Sequence, residues 1–218
     1  MKSITALAAT LIASASPTWA DFQEVRFRSV DGLMLDGSLF TVENADRVVI
    51  FAHGAVFDKT SWYPQAEKLQ AMGVAALTFN FRGYGASDAG PRADLKNDVL
   101  GTIAFAKARG YTKIALVGGS MGGAAVLDAL AAMDTSDNVD RVVLLAPAGG
   151  APVKQADIDK LFLVADGDSL RDRVKAIHAA SAEPKELEVF PGSAHAQHVF
   201  SAPEGSAVEA KILEFLSK

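Results

Sequence analysis

Six short runs of apolar, β-branched residues constrain the fold of this chain more than any other feature: Arg47–Ala52, Val74–Phe81, Lys113–Val117, Arg141–Ala146, Lys160–Ala165 and Glu186–Phe190. They lack the polar alternation of a strand with one wet face, so they are expected to be buried on both faces of a parallel sheet. Helical patterns fill the intervals, at Tyr63–Met72, Leu95–Arg109, Gly122–Met133, Leu170–Ala182 and Val208–Leu216. Strands alternating with helices of this length imply βαβ crossovers, with helices on both faces of the sheet. Upstream, Glu24–Ser29 and Leu33–Phe40 flank Val30-Asp31-Gly32, a hairpin signal that adds two antiparallel strands. The expectation is an α/β fold built on a mostly parallel sheet of about eight strands. With no repeat, linker or charge block after residue 20, residues 21–218 read as a single domain.

Residues 1–20 read differently. Lys2 is followed by an apolar and small-residue stretch, Ile4–Ala15, and Thr18-Trp19-Ala20 has the small-x-small form of a cleavage site. Those 12 residues fall well short of the roughly 20 needed to span a bilayer. The segment is read as an export signal, giving a periplasmic or secreted protein with no stable membrane anchor after cleavage. Removing it changes the net charge from −5 to −6, since Lys2 is the only charge lost. An acidic chain without a basic run is a poor nucleic-acid binder. The absence of cysteine excludes a disulfide scaffold, a thiol nucleophile and a thiolate metal site.

The chemistry begins after the third of these runs, where the chain reads Gly118-Gly119-Ser120-Met121-Gly122-Gly123 before an Ala-rich helix. This is G-x-S-x-G between strand and helix, a turn so sharp that the serine hydroxyl projects past the strand end. A phosphate-binding loop is the competing reading, but G-x-G-x-x-G does not follow the first long strand and Gly-Lys-Ser/Thr is missing. A serine hydroxyl needs a base, and the base an orienting acid. Asp166-Gly167-Asp168 follows one later strand, and Pro191-Gly192-Ser193-Ala194-His195 follows the next. The order Ser120…Asp168…His195 thus sets each group beyond the C-terminal edge of a different strand, where open α/β sheets bind ligands. His198 and Asp166 are the alternatives, and His178 reads as a surface or boundary residue of its helix.

With His53-Gly54 and Arg82-Gly83-Tyr84-Gly85, these motifs occur in the order of the α/β-hydrolase family, which residues 21–218 resemble throughout. The resemblance implies Ser120 as nucleophile, His195 as base and Asp168 as acid, preferred there over Asp166. It implies an oxyanion hole from the backbone N–H groups of Ala55 and Met121, with Gly54 allowing close approach and Val56 an alternative donor. His53 is then structural, and Arg82 anchors its turn by ion pairing. Only one glycine follows His53, unlike the triple-glycine loop of some esterases. The stretch Pro147–Asp159, where relatives insert a lid, has just 13 residues, so a minimal lid or none is expected.

The chemistry implied is acyl transfer from a small ester, or a thioester, to water, without metal or organic cofactor. Activity should rise with pH as the imidazole loses its proton. Ala55, Val56, Phe57 and Met121 suggest an apolar rim suited to short or medium acyl chains. A hydrolase-fold binding or signalling protein without catalysis is one rival reading. A peptidase, perhydrolase or lyase on the same triad is the other, because fold does not dictate chemistry. Oligomeric state is not legible in the sequence.

Overall fold

The computed structural model describes residues 21–218, so the leader expected at residues 1–20 lies outside the described residues. Eight strands form one sheet in the order β1-β2-β4-β3-β5-β6-β7-β8. The strands are β1 Phe22–Arg28, β2 Met34–Phe40, β3 Arg47–Ala52, β4 Ala75–Asn80, β5 Lys113–Gly119, β6 Val139–Leu145, β7 Asp159–Ala165 and β8 Lys185–Phe190. The hairpin β1–β2 is antiparallel and joins the rest through an antiparallel β2–β4 ladder; the other five ladders are parallel.

The apolar runs behave as their composition demands in the middle of the sheet. Every residue of β4 is buried, and in β5 and β7 only the first residue is exposed. β8 is different. It is one edge of the sheet, pairs only with β7, and buries only Phe190 fully, while Glu186 and Val189 face solvent. The expectation of burial on both faces therefore fails there, because the two glutamates stand on a strand with one neighbour.

The helices are α1 Tyr63–Ala71, α2 Leu95–Ala108, α3 Met121–Ala131, α4 Arg171–Ala180 and α5 Gly205–Ser217. From β3 the chain steps to β4 on one side, then crosses back to β5 on the other. Right-handed crossovers in opposite directions put their helices on opposite faces. Accordingly α1 packs with α5, and α2 with α3. The aromatic contacts mark both layers: Phe105 of α2 stacks on Phe27 of β1 at 4.6 Å, and Trp62 lies 5.1 Å from Phe51 of β3. Phe51 and Trp62 are fully buried, and burying a ring of this kind contributes about 1.5–3 kcal/mol. The reversal of direction leaves a crevice outside the C-terminal ends of β3 and β5, the place where such sheets bind ligands. Residues 146–158 cross from β6 to β7 without a helix.

Candidate active site

Ser120 occupies the turn between β5 and α3 with φ +50° and ψ −113°, a region costly for a residue with a Cβ. The surrounding glycines make the turn sterically possible. A Cβ on Gly122 would lie 2.2 Å from the Ala52 carbonyl oxygen, and one on Gly118 would lie 2.7 Å from the Cα of Gly123. Backbone bonds hold the turn: the Ser120 N–H donates to the Leu145 carbonyl, and the Ala148 N–H to the Ser120 carbonyl. The Ser120 side chain makes no capping bond to α3. Its hydroxyl points instead to His195 Nε2, 2.8 Å away.

His195 stands on the loop after β8, and its Nδ1 lies 2.8 Å from Asp168 Oδ2. The loop after β7 is tied to that loop by two backbone bonds, from the Asp166 N–H to the Phe190 carbonyl and from the Gly167 N–H to the Gly192 carbonyl. That zipper brings Asp168 against the imidazole. The Asp168 side chain is 1% exposed, and its second oxygen accepts from the Leu170 N–H at 2.8 Å. Asp166, two residues earlier, turns to solvent and pairs with Arg171 at 3.0 Å. With a proton on Nδ1 held by Asp168, Nε2 is left as the acceptor for the serine hydroxyl.

The loop after β3 faces this trio. His53 is buried; its Nε2 accepts from the Phe81 N–H at 3.2 Å and its Nδ1 donates to the Gly54 carbonyl at 2.9 Å. Burial holds its imidazole below the ordinary value of 6.5, which keeps it neutral and suits this one tautomer. The Gly54 N–H donates to Gln197 Oε1 at 2.7 Å, while Gln197 Nε2 donates to Ser61 Oγ at 2.6 Å. Tyr84 donates its hydroxyl to the Ala55 carbonyl at 2.9 Å. These bonds leave the N–H groups of Ala55, Val56 and Met121 with no acceptor among the described residues. The Val56 side chain is 77% exposed.

Two residues of this scaffold make contacts that no sequence motif states. Gln197 lies two positions after His195 in the 3-10 turn Ala196–Ser201, where no motif marks it. Tyr84 sits in the Arg82-Gly83-Tyr84-Gly85 turn, expected to be structural alone, yet it reaches across to the Ala55 loop. Its neighbour Arg82 does serve structure. Arg82 binds Asp98 through Nε and Nη2 at 2.9 and 2.7 Å, and Asp31 of the hairpin turn through both Nη atoms at 2.9 and 2.8 Å. The guanidinium holds the Asp31 carboxyl far below the usual carboxylate range.

The remaining histidines stand apart from the trio. His198 is exposed and lies tilted against Phe57 at 4.9 Å; His178 packs edge-on against Phe162 at 5.4 Å. Among the described residues no three His, Cys, Asp or Glu side chains come together to hold a metal ion. None of the described helices is long and apolar enough to cross a membrane.

Residues 47–176 match the family described as the alpha/beta hydrolase fold. The chain is similar to thiohydrolase apmlB of Arthrinium phaeospermum, 32% identical over 135 residues, which are 58% of this chain and 43% of that protein. Thus the match spans less than half of that relative. The fold is similar to the Pyrococcus furiosus esterase Pf2001, with TM-score 0.74 and 16% identity over 95% of this chain and 97% of that one. It is also similar to the alpha/beta hydrolase GrgF from Penicillium sp. sh18, with TM-score 0.75 and 18% identity over 90% of this chain and 98% of that one.

Proposed function

This chain belongs to the alpha/beta hydrolase family, and from that premise we propose that it is a serine hydrolase cleaving carboxylic esters, thioesters included. The observation that carries the reading is the continuous hydrogen-bonded line from Ser120 Oγ through His195 to Asp168. In this mechanism His195 removes the Ser120 proton as the oxygen attacks the carbonyl carbon. The tetrahedral oxyanion is received by the Ala55 and Met121 N–H groups, and Asp168 stabilises the imidazolium. His195 next protonates the departing alcohol or thiol, then deprotonates the water that releases the acyl group. The names of an esterase and a thiohydrolase among similar proteins favour both leaving groups. No cofactor enters this scheme, and the substrate is a small ester or acyl compound.

A fluorophosphonate probe is expected to label the wild-type protein on Ser120 and to leave Ser120→Ala unlabelled; labelling of the variant would sink the assignment. A matched set of ester, thioester, amide and peptide substrates, with Ser120→Ala as control, separates an esterase from a peptidase and from an inert binding module. We also propose export, on the pattern of residues 1–20. Expression with the leader should yield protein outside the cytoplasm whose N-terminal sequence begins Asp21-Phe22-Gln23; protein retained with Met1 would overturn this.

A further inference from the structure

A cleft of about 360 Å³ opens beside the serine turn, between the start of α2 and the first turns of α3. Ala55 and Met121, whose N–H groups are left without acceptors, lie on its lining, together with the apolar side chains of Leu95, Ala124 and Ala125. Apolar surface is what an acyl chain needs, but Arg92 and Lys96 also line this cleft. Neither makes an ion pair or hydrogen bond among the described residues; the Arg92 guanidinium lies 5.5 Å from the Tyr84 ring. Most basic side chains of the described residues have carboxylate or carbonyl partners, and only Arg109 and Lys175 share this lack of one. Asp128 is the one carboxylate on the lining, and it pairs with neither cation. The lining therefore carries a net positive charge. On a neighbouring stretch Arg173 donates to the carbonyl of Ala148, another lining residue, at 2.6 Å.

We propose that this cleft takes the acyl part of a substrate whose far end is anionic, such as the monoester of a dicarboxylic acid. The proposal rests on the serine-hydrolase reading. The acyl side is indicated because no residue of the His195 loop lines the cleft, whereas the leaving group must lie next to His195 to receive its proton. The alanines and Leu95 cover the methylenes, and Arg92 and Lys96 meet the terminal carboxylate at the rim. Partly exposed cations steer and select rather than bind tightly.

The test compares mono-4-nitrophenyl adipate with 4-nitrophenyl hexanoate, two esters of equal chain length that differ in one terminal charge. The wild-type ratio of kcat/KM should favour the adipate at low salt and fall as salt is added. In Arg92→Gln/Lys96→Gln that ratio should drop by about 10-fold, carried mainly by KM. A ratio unchanged by the double substitution overturns the proposal. If neither ester is hydrolysed and Ser120 is not labelled, the hydrolase reading fails first, and the cleft is tested by itself. Calorimetry of adipate with Ser120→Ala should then show binding that Arg92→Gln/Lys96→Gln removes, and equal binding by both proteins counts against the site.

Discussion

Two charged clusters border the C-terminal edge of this sheet, and they are built on opposite principles. Around Arg82, at the end of β4, both partners in the pair with Asp98 are fully buried, and the guanidinium is saturated by two carboxylates. Around Ser120, at the end of β5, the histidine side chain is 37% exposed, and the adjoining Ala55 and Met121 N–H groups are unsatisfied among the described residues. Arg82 and Asp98 spend their bonding capacity on each other and on Asp31, whose carboxylate is 34% exposed, and the cluster ties the hairpin turn to α2. The cluster with spare donors and an open histidine can do chemistry. The difference lies in unspent bonding capacity, since both sites hold carboxylates and strong hydrogen bonds.

Substitutions in each cluster should therefore separate cleanly into activity and stability. The largest effect is expected for Asp168→Asn, which keeps the shape but favours the wrong imidazole tautomer. We expect kcat to fall by about 10⁴-fold with the melting temperature nearly unchanged. Asp166→Asn, two residues away, is the control that leaves kcat within about 2-fold, because that side chain faces Arg171 and solvent. In the Arg82 cluster, Arg82→Met should cost about 3–5 kcal/mol of stability by stranding the buried Asp98 charge. Denaturant titration reads that loss, and a variant as stable as wild type would erase the contrast between the clusters.

Smaller effects probe the join between the two regions. Gln197→Leu removes the bond that holds the Gly54 N–H and should lower kcat by about 10- to 100-fold, less than the loss of an oxyanion donor itself. KM should move little, since the group positions the loop without touching substrate. The smallest effect concerns acid. His53 is held below its ordinary value of 6.5, so the unfolded chain binds its proton more readily than the folded one. Its contribution to stability is therefore complete above about 6.5 and is lost as pH falls through the depressed folded value. Wild type should lose melting temperature more steeply than His53→Gln on acidification; parallel curves would show that His53 is not the sensor.

Much of the fold and of the serine turn is legible in the amino-acid sequence, and the reasons are local. Runs such as Lys113–Val117 and Lys160–Ala165 are read from composition alone, because a strand buried on two faces leaves no room for polar residues. The Gly118–Gly122 spacing around Ser120 is likewise a local steric requirement, visible as an atom-by-atom clash at Gly122. The departure at β8 has a different, non-local origin. Glu186 and Glu188 look tolerable in an apolar window, and only the strand order makes that run an edge.

By itself, then, the sequence determined the alternation of strand and helix, the serine turn, and the chain order of the candidate groups at successive strand ends. Tertiary structure alone decided which neighbour each group would meet. Asp166 and Asp168 share a turn and a chemistry, and the backbone zipper between the β7 and β8 loops directs one to His195 and leaves the other in solvent. Gln197 carries no local signal, and the Arg82–Gly85 motif marks the turn that holds Tyr84 without marking what its side chain meets. Their roles arise from contacts to Gly54 and Ala55, which are 143 and 29 residues distant along the chain. Periodicity and steric demand act within a few residues of one chain segment. A hydrogen bond across a crevice depends on how separate segments converge, and that convergence is a property of the whole packed sheet.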